Sequence, residues 1–278
     1  MEPFLKKHET YYSIKEWVKE FPGLIVGFTT KHGGISKGPF GSLNFGFHVG
    51  DEPSAVCQNR RILADQIGFP LQQWVGAEQS HETNIQKVLR NDAGKGAQTY
   101  ESAFTRTDGF FSYEKDVLLT LCYADCVPLY FLAPSKQMIG IAHAGWKGSV
   151  DGIAAEMIER LTLEGIDPSE IKVGIGPSIC GDCYIVDNRV IDTIEKSLET
   201  VEKKPYNHIS GNQYRLDLRK LNEILLVNAG VLAKNIRTTN FCTSCNHETF
   251  YSHRKDNGKT GRMISFIGWK EITGENEC

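Results

Sequence analysis

The chain has 278 residues, of which 40% are hydrophobic, and this composition suffices for a sizeable buried core. Its net charge of -3 and pI near 6.3 disfavour nucleic acid as a partner, because surfaces that bind nucleic acid are basic. The most apolar stretch, 117–133, is interrupted by Asp125 and Pro128 and is shorter than the ~20 residues that span a bilayer, so we expect no membrane segment.

The first residues contain no apolar run of the kind found in export signals, and we therefore expect a cytoplasmic protein. In that compartment the eight cysteines should stay reduced, which favours metal binding or catalysis over disulfides. Internal repeats and low-complexity linkers are absent from the sequence, and we expect residues 1–278 to form a single domain.

Apolar periodicity and turn-forming residues predict a chain of mixed α and β structure. Strands are predicted at 24–28, 74–77, 83–89, 117–122, 127–132, 138–143 and 171–175. Helices are predicted from Pro53 to a stop at Gly68, and at 150–163, 190–201 and 216–227. A glycine-rich loop, 31–50, follows the first strand and is typical of loops that line a site. Near the end, the turn Asp256-Asn257-Gly258 is expected to join two strand-like runs.

Three residues at predicted strand ends carry donors for a metal ion. His81 lies between two predicted strands, Cys126 lies in a polar break between two apolar strands, and His143 ends an apolar strand. Imidazole and thiolate are good zinc ligands, and a catalytic zinc keeps three protein ligands and one open position for water. The trio therefore predicts a reactive zinc site. Alternatively, Cys126 is a nucleophile activated by one of the histidines.

The turn after His143 has features of an anion-binding loop. Gly145 and Gly148 permit close approach of the backbone, Lys147 adds positive charge, and Ser149 is expected to cap the following helix. An ordinary strand-to-helix turn with a solvated lysine explains the same residues equally well.

Arginines elsewhere in the chain are further candidates for binding phosphate. Arg60 and Arg61 are adjacent on a predicted helix, so they point ~100° apart and at most one faces a site. An exposed helical pair is the commoner explanation for such residues. Arg254, just before the turn at Asp256, is the third candidate.

The remaining cysteines include two Cys-x-x-Cys pairs, at 180–183 and 242–245, which suggest a structural four-cysteine zinc site. Compact zinc ribbons separate their pairs by about 15–20 residues, and the much longer gap here disfavours a shared site. A redox pair is disfavoured further, because neither pair has the strand-to-helix setting of a thioredoxin-like motif.

Several short motifs spread over nearly the whole chain together resemble one protein family. They are 29–36 (TTKHGGIS), 42–44 (SLN), 48–51 (HVGD), 59–61 (NRR), 79–81 (QSH), 124–128 (ADCVP), 143–148 (HAGWKG) and 261–263 (GRM). The family is the bacterial YlmD/YfiH group of purine nucleoside phosphorylases, once classed as multicopper polyphenol oxidases or laccase-domain proteins. The resemblance implies an α+β fold with four α/β/β/α layers and mixed sheets, of the YfiH-like (cytotoxic necrotizing factor-like) type.

The resemblance also implies a function and a site. It implies that His81, Cys126 and His143 are the zinc ligands and the catalytic residues. The implied activities are phosphorolysis of adenosine, inosine, guanosine and methylthioadenosine, and hydrolytic deamination of adenosine. Purine nucleosides and phosphate would then be the small-molecule partners. For deamination by a zinc-activated water, Glu82 and Asp125 are the nearest carboxylates in sequence that could transfer protons.

Phosphorolysis requires a phosphate site near C1′ of the ribose. We predict that Arg60, Lys147 and Arg254 bind this phosphate. Asn44, in the glycine-rich loop, is predicted to make a polar contact with the nucleoside.

Three alternative functions stay open at the level of sequence. Multicopper chemistry is disfavoured because histidines are few and no His-x-His pair occurs, but a single copper on two histidines and one cysteine is chemically reasonable. An amidase acting on nucleotide-linked muramyl peptides would use the long loop from Lys31 to accommodate its ligand. A non-enzymatic binding partner in cell division would hold a purely structural zinc, with four protein ligands instead of three and a water.

Overall fold

We analysed a computed structural model of the chain, which describes residues 2–198 and 204–271. The helices are α1 (Lys15–Glu20), α2 (Pro53–Ile67), α3 (Trp146–Val150), α4 (Ile153–Leu163), α5 (Asn188–Ser197) and α6 (Leu218–Asn228). The strands are β1 (Phe4–His8), β2 (Tyr11–Ile14), β3 (Leu24–Thr29), β4 (Trp74–Val75), β5 (Ile85–Lys87), β6 (Gly109–Ser112), β7 (Leu118–Tyr123), β8 (Val127–Ala133), β9 (Met138–Ala144), β10 (Lys172–Ile175), β11 (Ile185–Val186), β12 (Tyr206–Ser210), β13 (Gln213–Leu216), β14 (Ile236–Thr238) and β15 (Met263–Trp269).

Two six-stranded sheets form the centre of the molecule. The first has the order β1-β2-β3-β15-β7-β4 and the second has the order β14-β10-β8-β9-β6-β5. Both are mixed: β4 is parallel to β7, β5 to β6 and β14 to β10, while the remaining pairs are antiparallel. A small sheet, β11-β13-β12, lies outside them.

Three apolar clusters stack these elements into four layers. Strand β8 shows why, because successive side chains on a strand point to opposite faces. Leu129 and Phe131 pack with Met157 of α4, whereas Tyr130 and Leu132 belong to the cluster shared by the two sheets. On the other side, Leu63 and Ile67 of α2 pack with Leu118 and Phe266 of the first sheet. The predicted α+β fold with α/β/β/α layers is confirmed.

The predicted strands and the predicted helix ending at Gly68 are confirmed, with ends that differ by a few residues. The helix predicted at 150–163 is confirmed as α4, which begins at Ile153 because Gly152 adopts a left-handed conformation (φ 94°) between α3 and α4. The prediction of two strands around the turn at Asp256 is wrong: the segment before it, 243–255, is turn and loop, and only β15 follows. The predicted end of the helix at 190–201 lies outside the described residues.

The short elements β1, β2, α1, α3, β6 and β11–β14 were not predicted. Within 2–198 and 204–271, no helix has both the length and the apolar character needed to cross a membrane.

Candidate metal centre and its pocket

Strand pairing brings the three predicted metal ligands to one end of the second sheet. Cys126 directly precedes β8 and His143 is the second-last residue of β9, and these strands pair with Pro128 opposite His143. His81 lies in the loop between β4 and β5, two strands that belong to different sheets. The structure therefore assembles residues that are far apart in sequence.

The donor atoms of His81, Cys126 and His143 all lie within 4.8 Å of one another, a spacing that one metal ion can bridge. We call these three residues the mixed cluster. The two imidazole rings are in edge-to-face contact, with centroids 4.7 Å apart. His143 is buried at 3% exposure, Cys126 is half-buried and His81 is exposed, so one face of the cluster is accessible from solvent.

Asp108, immediately before β6, organises the mixed cluster although sequence analysis did not single it out. The His143 Nδ1–H donates to the Asp108 Oδ1 across 2.8 Å, which leaves Nε2 as the nitrogen for a metal. The same buried carboxylate accepts the backbone N–H groups of Ser80, His81 and Glu82 at 3.0, 3.1 and 3.0 Å. One side chain thus fixes the ring of one predicted ligand, His143, and the backbone of another, His81. A buried strand that begins directly after an aspartate was the available signal.

Backbone geometry adds to this constraint. His81, a predicted ligand, and Asp125, adjacent to the predicted ligand Cys126, both have positive φ angles, of 61° and 92°. Such conformations cost of order 1–3 kcal/mol in non-glycine residues and are commonest at functional sites. A Cβ at Gly145 would lie 3.1 Å from the Cys126 sulfur and 3.2 Å from the His81 ring, so only glycine leaves the cluster undisturbed.

The electrostatics of the mixed cluster favour the thiolate form of Cys126. Burial alone would raise the pKa of the Cys126 thiol, but the adjacent His143 and His81 imidazoles lower this pKa below its usual range. Burial would likewise lower the pKa of His143, but the Cys126 thiolate and the Asp108 carboxylate raise it. The thiolate is the form of cysteine that binds metals.

A cavity of about 530 Å³ opens over the mixed cluster. Lys147, Arg254 and Arg262 contribute cationic side chains to its lining. The Arg254 guanidinium lies over the Tyr184 ring at 4.7 Å and donates to the Ile185 carbonyl across 3.0 Å, which fixes its direction. In the sequence, Arg262 stands out only as part of the GRM motif at 261–263, and Tyr184 belongs to no motif.

Two of the predicted substrate-binding residues lie outside this cavity. The Arg60 guanidinium is buried and donates to the carbonyls of Phe45, Gly96 and Ala97 at 2.6–3.2 Å. Asn44 is also buried, and its side chain bonds to Gly46, Asp51 and the N–H of Arg262. Both hold the glycine-rich loop in place, and the geometry does not support direct contact of either with a substrate.

One further expectation needs correction, and both candidate carboxylates make other contacts. Ser149 does not cap the helix that follows it: it lies inside the one-turn helix α3 and accepts a hydrogen bond from Asn222, and Gly152 is the N-cap of α4. Glu82 pairs with Arg106 across 2.7 Å on the surface. The Asp125 carboxylate lines the cavity, but it accepts from the Thr243 hydroxyl at 2.6 Å and the Arg254 N–H at 2.7 Å. Both carboxylates are therefore engaged in structural contacts.

The two Cys-x-x-Cys pairs also meet, although their separation in sequence disfavoured a shared site. The sulfurs of Cys180, Cys183, Cys242 and Cys245 all lie within 4.8 Å of one another. We call these four residues the cysteine cluster. The prediction that the two pairs do not share a site, which was based on their separation in sequence, was wrong. Zinc ribbons are local structures, whereas the contact between these pairs depends on pairing between distant strands.

Comparison with known proteins defines the family. Residues 25–270 match the family model described as "Multi-copper polyphenol oxidoreductase laccase". The match spans most of the chain, and together with the relatives described next it shows that the chain belongs to this laccase-domain family, which includes the YlmD and YfiH proteins.

Individual relatives agree with this assignment. The chain is 50% identical to the purine nucleoside phosphorylase YlmD of Geobacillus stearothermophilus over 252 residues, which are 90% of this chain and 92% of that protein. It is 46% identical to the purine nucleoside phosphorylase YlmD of Bacillus subtilis, covering 97% and 98% of the two chains. The crystal structure of YlmD from Geobacillus stearothermophilus superimposes with a TM-score of 0.94 and covers 98% of this chain and 100% of that one. The resemblance inferred from the motifs is thereby confirmed.

Proposed function

We propose that this protein is a zinc-dependent purine nucleoside enzyme that cleaves adenosine, inosine, guanosine and methylthioadenosine with phosphate and also deaminates adenosine. The observation that carries the proposal is that the mixed cluster lies in the same cavity as Lys147, Arg254 and Arg262. A site that joins three metal donors to several cations suits a substrate with a polar purine base and an anionic co-substrate. The activity named for the two YlmD relatives supports it.

The donor set fits zinc. Two imidazoles and one thiolate are typical zinc ligands. Because His81 is exposed, a metal held by these residues would be accessible from the cavity on that side. When bound, zinc would supply a Lewis acid at that face. Asp108 would hold the His143 ring in register with the metal through its 2.8 Å hydrogen bond.

The phosphate site in this proposal consists of the three cations. Arg254 offers a planar fork whose orientation is fixed by Tyr184 and by the Ile185 carbonyl. Lys147, at the start of α3, adds a point charge, and Arg262 adds a second guanidinium from the strand end. The cavity of about 530 Å³ lies within the range of about 300–1,000 Å³ that is common for small-molecule sites.

The test is a product analysis with purified protein, adenosine and inorganic phosphate. We expect adenine and ribose 1-phosphate from phosphorolysis, and inosine when phosphate is omitted. His81→Ala and Cys126→Ala should remove both activities, because each deletes a metal ligand. If wild-type protein forms none of these products, or if either variant keeps full activity, the proposal is wrong.

Matched control variants separate loss of the site from general damage. Cys57→Ala and His208→Ala replace the same residue types outside the cavity and should retain activity. Circular dichroism of all four variants would confirm that each is folded.

A single-copper phenol oxidase is the second candidate, since two histidines and a thiolate also bind copper. Of the two donor clusters in 2–198 and 204–271, one contains two histidines and the other contains none. A multicopper centre would need more imidazoles than these clusters provide, so this candidate is limited to one copper ion. We prefer zinc because the phosphorolysis named for the YlmD relatives has no redox step. Metal analysis of purified protein, with a phenol oxidation assay after copper loading, distinguishes the two.

A further inference from the structure

The cysteine cluster forms where two parallel strands end side by side. Strand β10 pairs with β14 in parallel register, with Ile175 opposite Thr238. The chain continues from both strands in the same direction, and an isolated bridge between Ser178 and Cys242 extends the pairing. Residues 62 positions apart, such as Cys180 and Cys242, are thereby brought into contact.

The geometry of the cluster matches a tetrahedral metal site. With Zn–S bonds of about 2.3 Å, the sulfurs of a four-thiolate site lie roughly 3.8 Å apart. Here Cys183 and Cys245 are separated by 3.4 Å, and Cys180 and Cys245 by 3.9 Å. The Cys242 sulfur lies within 4.8 Å of each of these three, so the four sulfurs can surround a common centre.

Backbone donors point at one of the sulfurs. The Cys242 Sγ accepts the N–H groups of Cys180 and Cys245, at 3.2 and 3.3 Å. Hydrogen bonds of this kind stabilise the thiolate form, which is the form that binds metals. Each pair thus contributes a backbone N–H as well as its sulfurs, and this is an observation independent of the sulfur spacing.

We propose that Cys180, Cys183, Cys242 and Cys245 bind a structural zinc ion that fixes one wall of the cavity. Ile179 and Tyr184, which flank the first cysteine pair, both line that cavity. A zinc with four thiolates has no open position, so its role is to hold the two segments together. Its effect on the cavity would pass through Tyr184, on which Arg254 lies.

The test is the metal content of the purified full-length protein, measured by mass spectrometry for zinc and iron. We expect two zinc ions per chain in the wild type and one in Cys245→Ser. Cys245 is exposed, so this substitution should leave the fold intact. Cys57→Ser, a matched change at a cysteine outside both clusters, should keep two. If Cys245→Ser binds as much zinc as wild type, or if iron is the metal lost, the proposal is overturned.

A second measurement covers the case in which Cys245→Ser misfolds, and it also separates this site from the mixed cluster. Cys126→Ala protein loaded with cobalt should show the charge-transfer bands of a tetrathiolate site, and their absence would contradict the proposal. If Cys126→Ala retains all of the wild-type zinc while Cys245→Ser loses one ion, the zinc assignment of the mixed cluster fails and this one stands.

Discussion

The mixed cluster and the cysteine cluster differ in donor type, in accessibility and in the way the chain builds them. The mixed cluster has two imidazoles and one thiolate, is accessible through His81, and is fixed by the buried Asp108. The cysteine cluster has four cysteine sulfurs and joins two loops by backbone N–H to sulfur contacts. Three donors leave a position for chemistry, whereas four complete a tetrahedron. One fold thus combines a site suited to reaction with a site suited to stability.

The largest expected effect of this difference is on metal removal. A chelator such as dipicolinate can bind the open position of the mixed cluster first, but at the cysteine cluster it must displace a thiolate. We expect activity to be lost completely as zinc leaves the mixed cluster. Zinc should leave the cysteine cluster much later. Zinc release measured with a chromogenic indicator, in parallel with activity, would show two phases. Release of both ions in a single phase would contradict the difference in coordination.

The next largest effect is expected at Asp108, the carboxylate that supports the mixed cluster. Among the described contacts of the cysteine cluster, no carboxylate has this role. Asp108→Asn keeps the shape of the side chain but removes the negative charge that orients His143 and raises its basicity. We expect metal affinity and kcat/KM to fall by roughly 10–100-fold, as is typical for carboxylates that support metal ligands. Glu82→Gln is the matched control, because its carboxylate pairs with Arg106 on the surface. Equal effects in the two variants would show that Asp108 has no special role.

These residues also show how far the sequence alone leads. Buried strands such as β8 and β9 were predictable, since unbroken apolar runs of this length fit few other structures. The mixed cluster was predictable because Cys126 and His143 interrupt or end such runs, His81 lies between two predicted strands, and the family resemblance implied the same three residues. The proximity of Asp108 to His143 depends instead on the pairing of β6 with β9, and the cysteine cluster depends on the pairing of β10 with β14. Local patterns do not encode such long-range pairings.

Short elements with little apolar pattern escaped prediction for a related reason. Strands β11 and β12 consist largely of exposed or half-buried residues and are held by cross-strand hydrogen bonds.

Only the structure shows that two of the predicted phosphate ligands have different environments. Sequence could not distinguish Arg254 from Arg60. Arg254 faces the cavity, whereas Arg60 is buried and donates to carbonyls of the glycine-rich loop and of residues 96–97.

A third prediction uses that pair of arginines. Arg254→Gln removes a cation that faces the cavity, and we expect the KM for phosphate to rise about tenfold, equivalent to about 1.4 kcal/mol. Arg60→Gln instead leaves buried carbonyls of Phe45 and Gly96 without their donor, and we expect the free energy of unfolding to fall by about 2–3 kcal/mol. Steady-state kinetics and urea denaturation of both variants measure the two effects. If Arg60→Gln raises the KM for phosphate as much as Arg254→Gln, Arg60 belongs to the substrate site.

The smallest expected effect concerns the pKa of His48, which lines the cavity over the mixed cluster. Desolvation, assisted by the cations of Arg262 and Arg60, lowers the pKa of His48 to about 4. Arg262→Gln should raise the pKa of His48 towards its ordinary value, because protonation of the imidazole would no longer be opposed by that charge. Arg215→Gln removes a charge that pairs with Asp182, between the first two cysteines of the cysteine cluster, and should leave the pKa of His48 unchanged. NMR titration of the histidine side chains, assigned with His48→Gln and carried out in one metal state throughout, measures both shifts. Similar shifts in the two variants would mean that net charge, and not the geometry of the cavity, sets the pKa of His48.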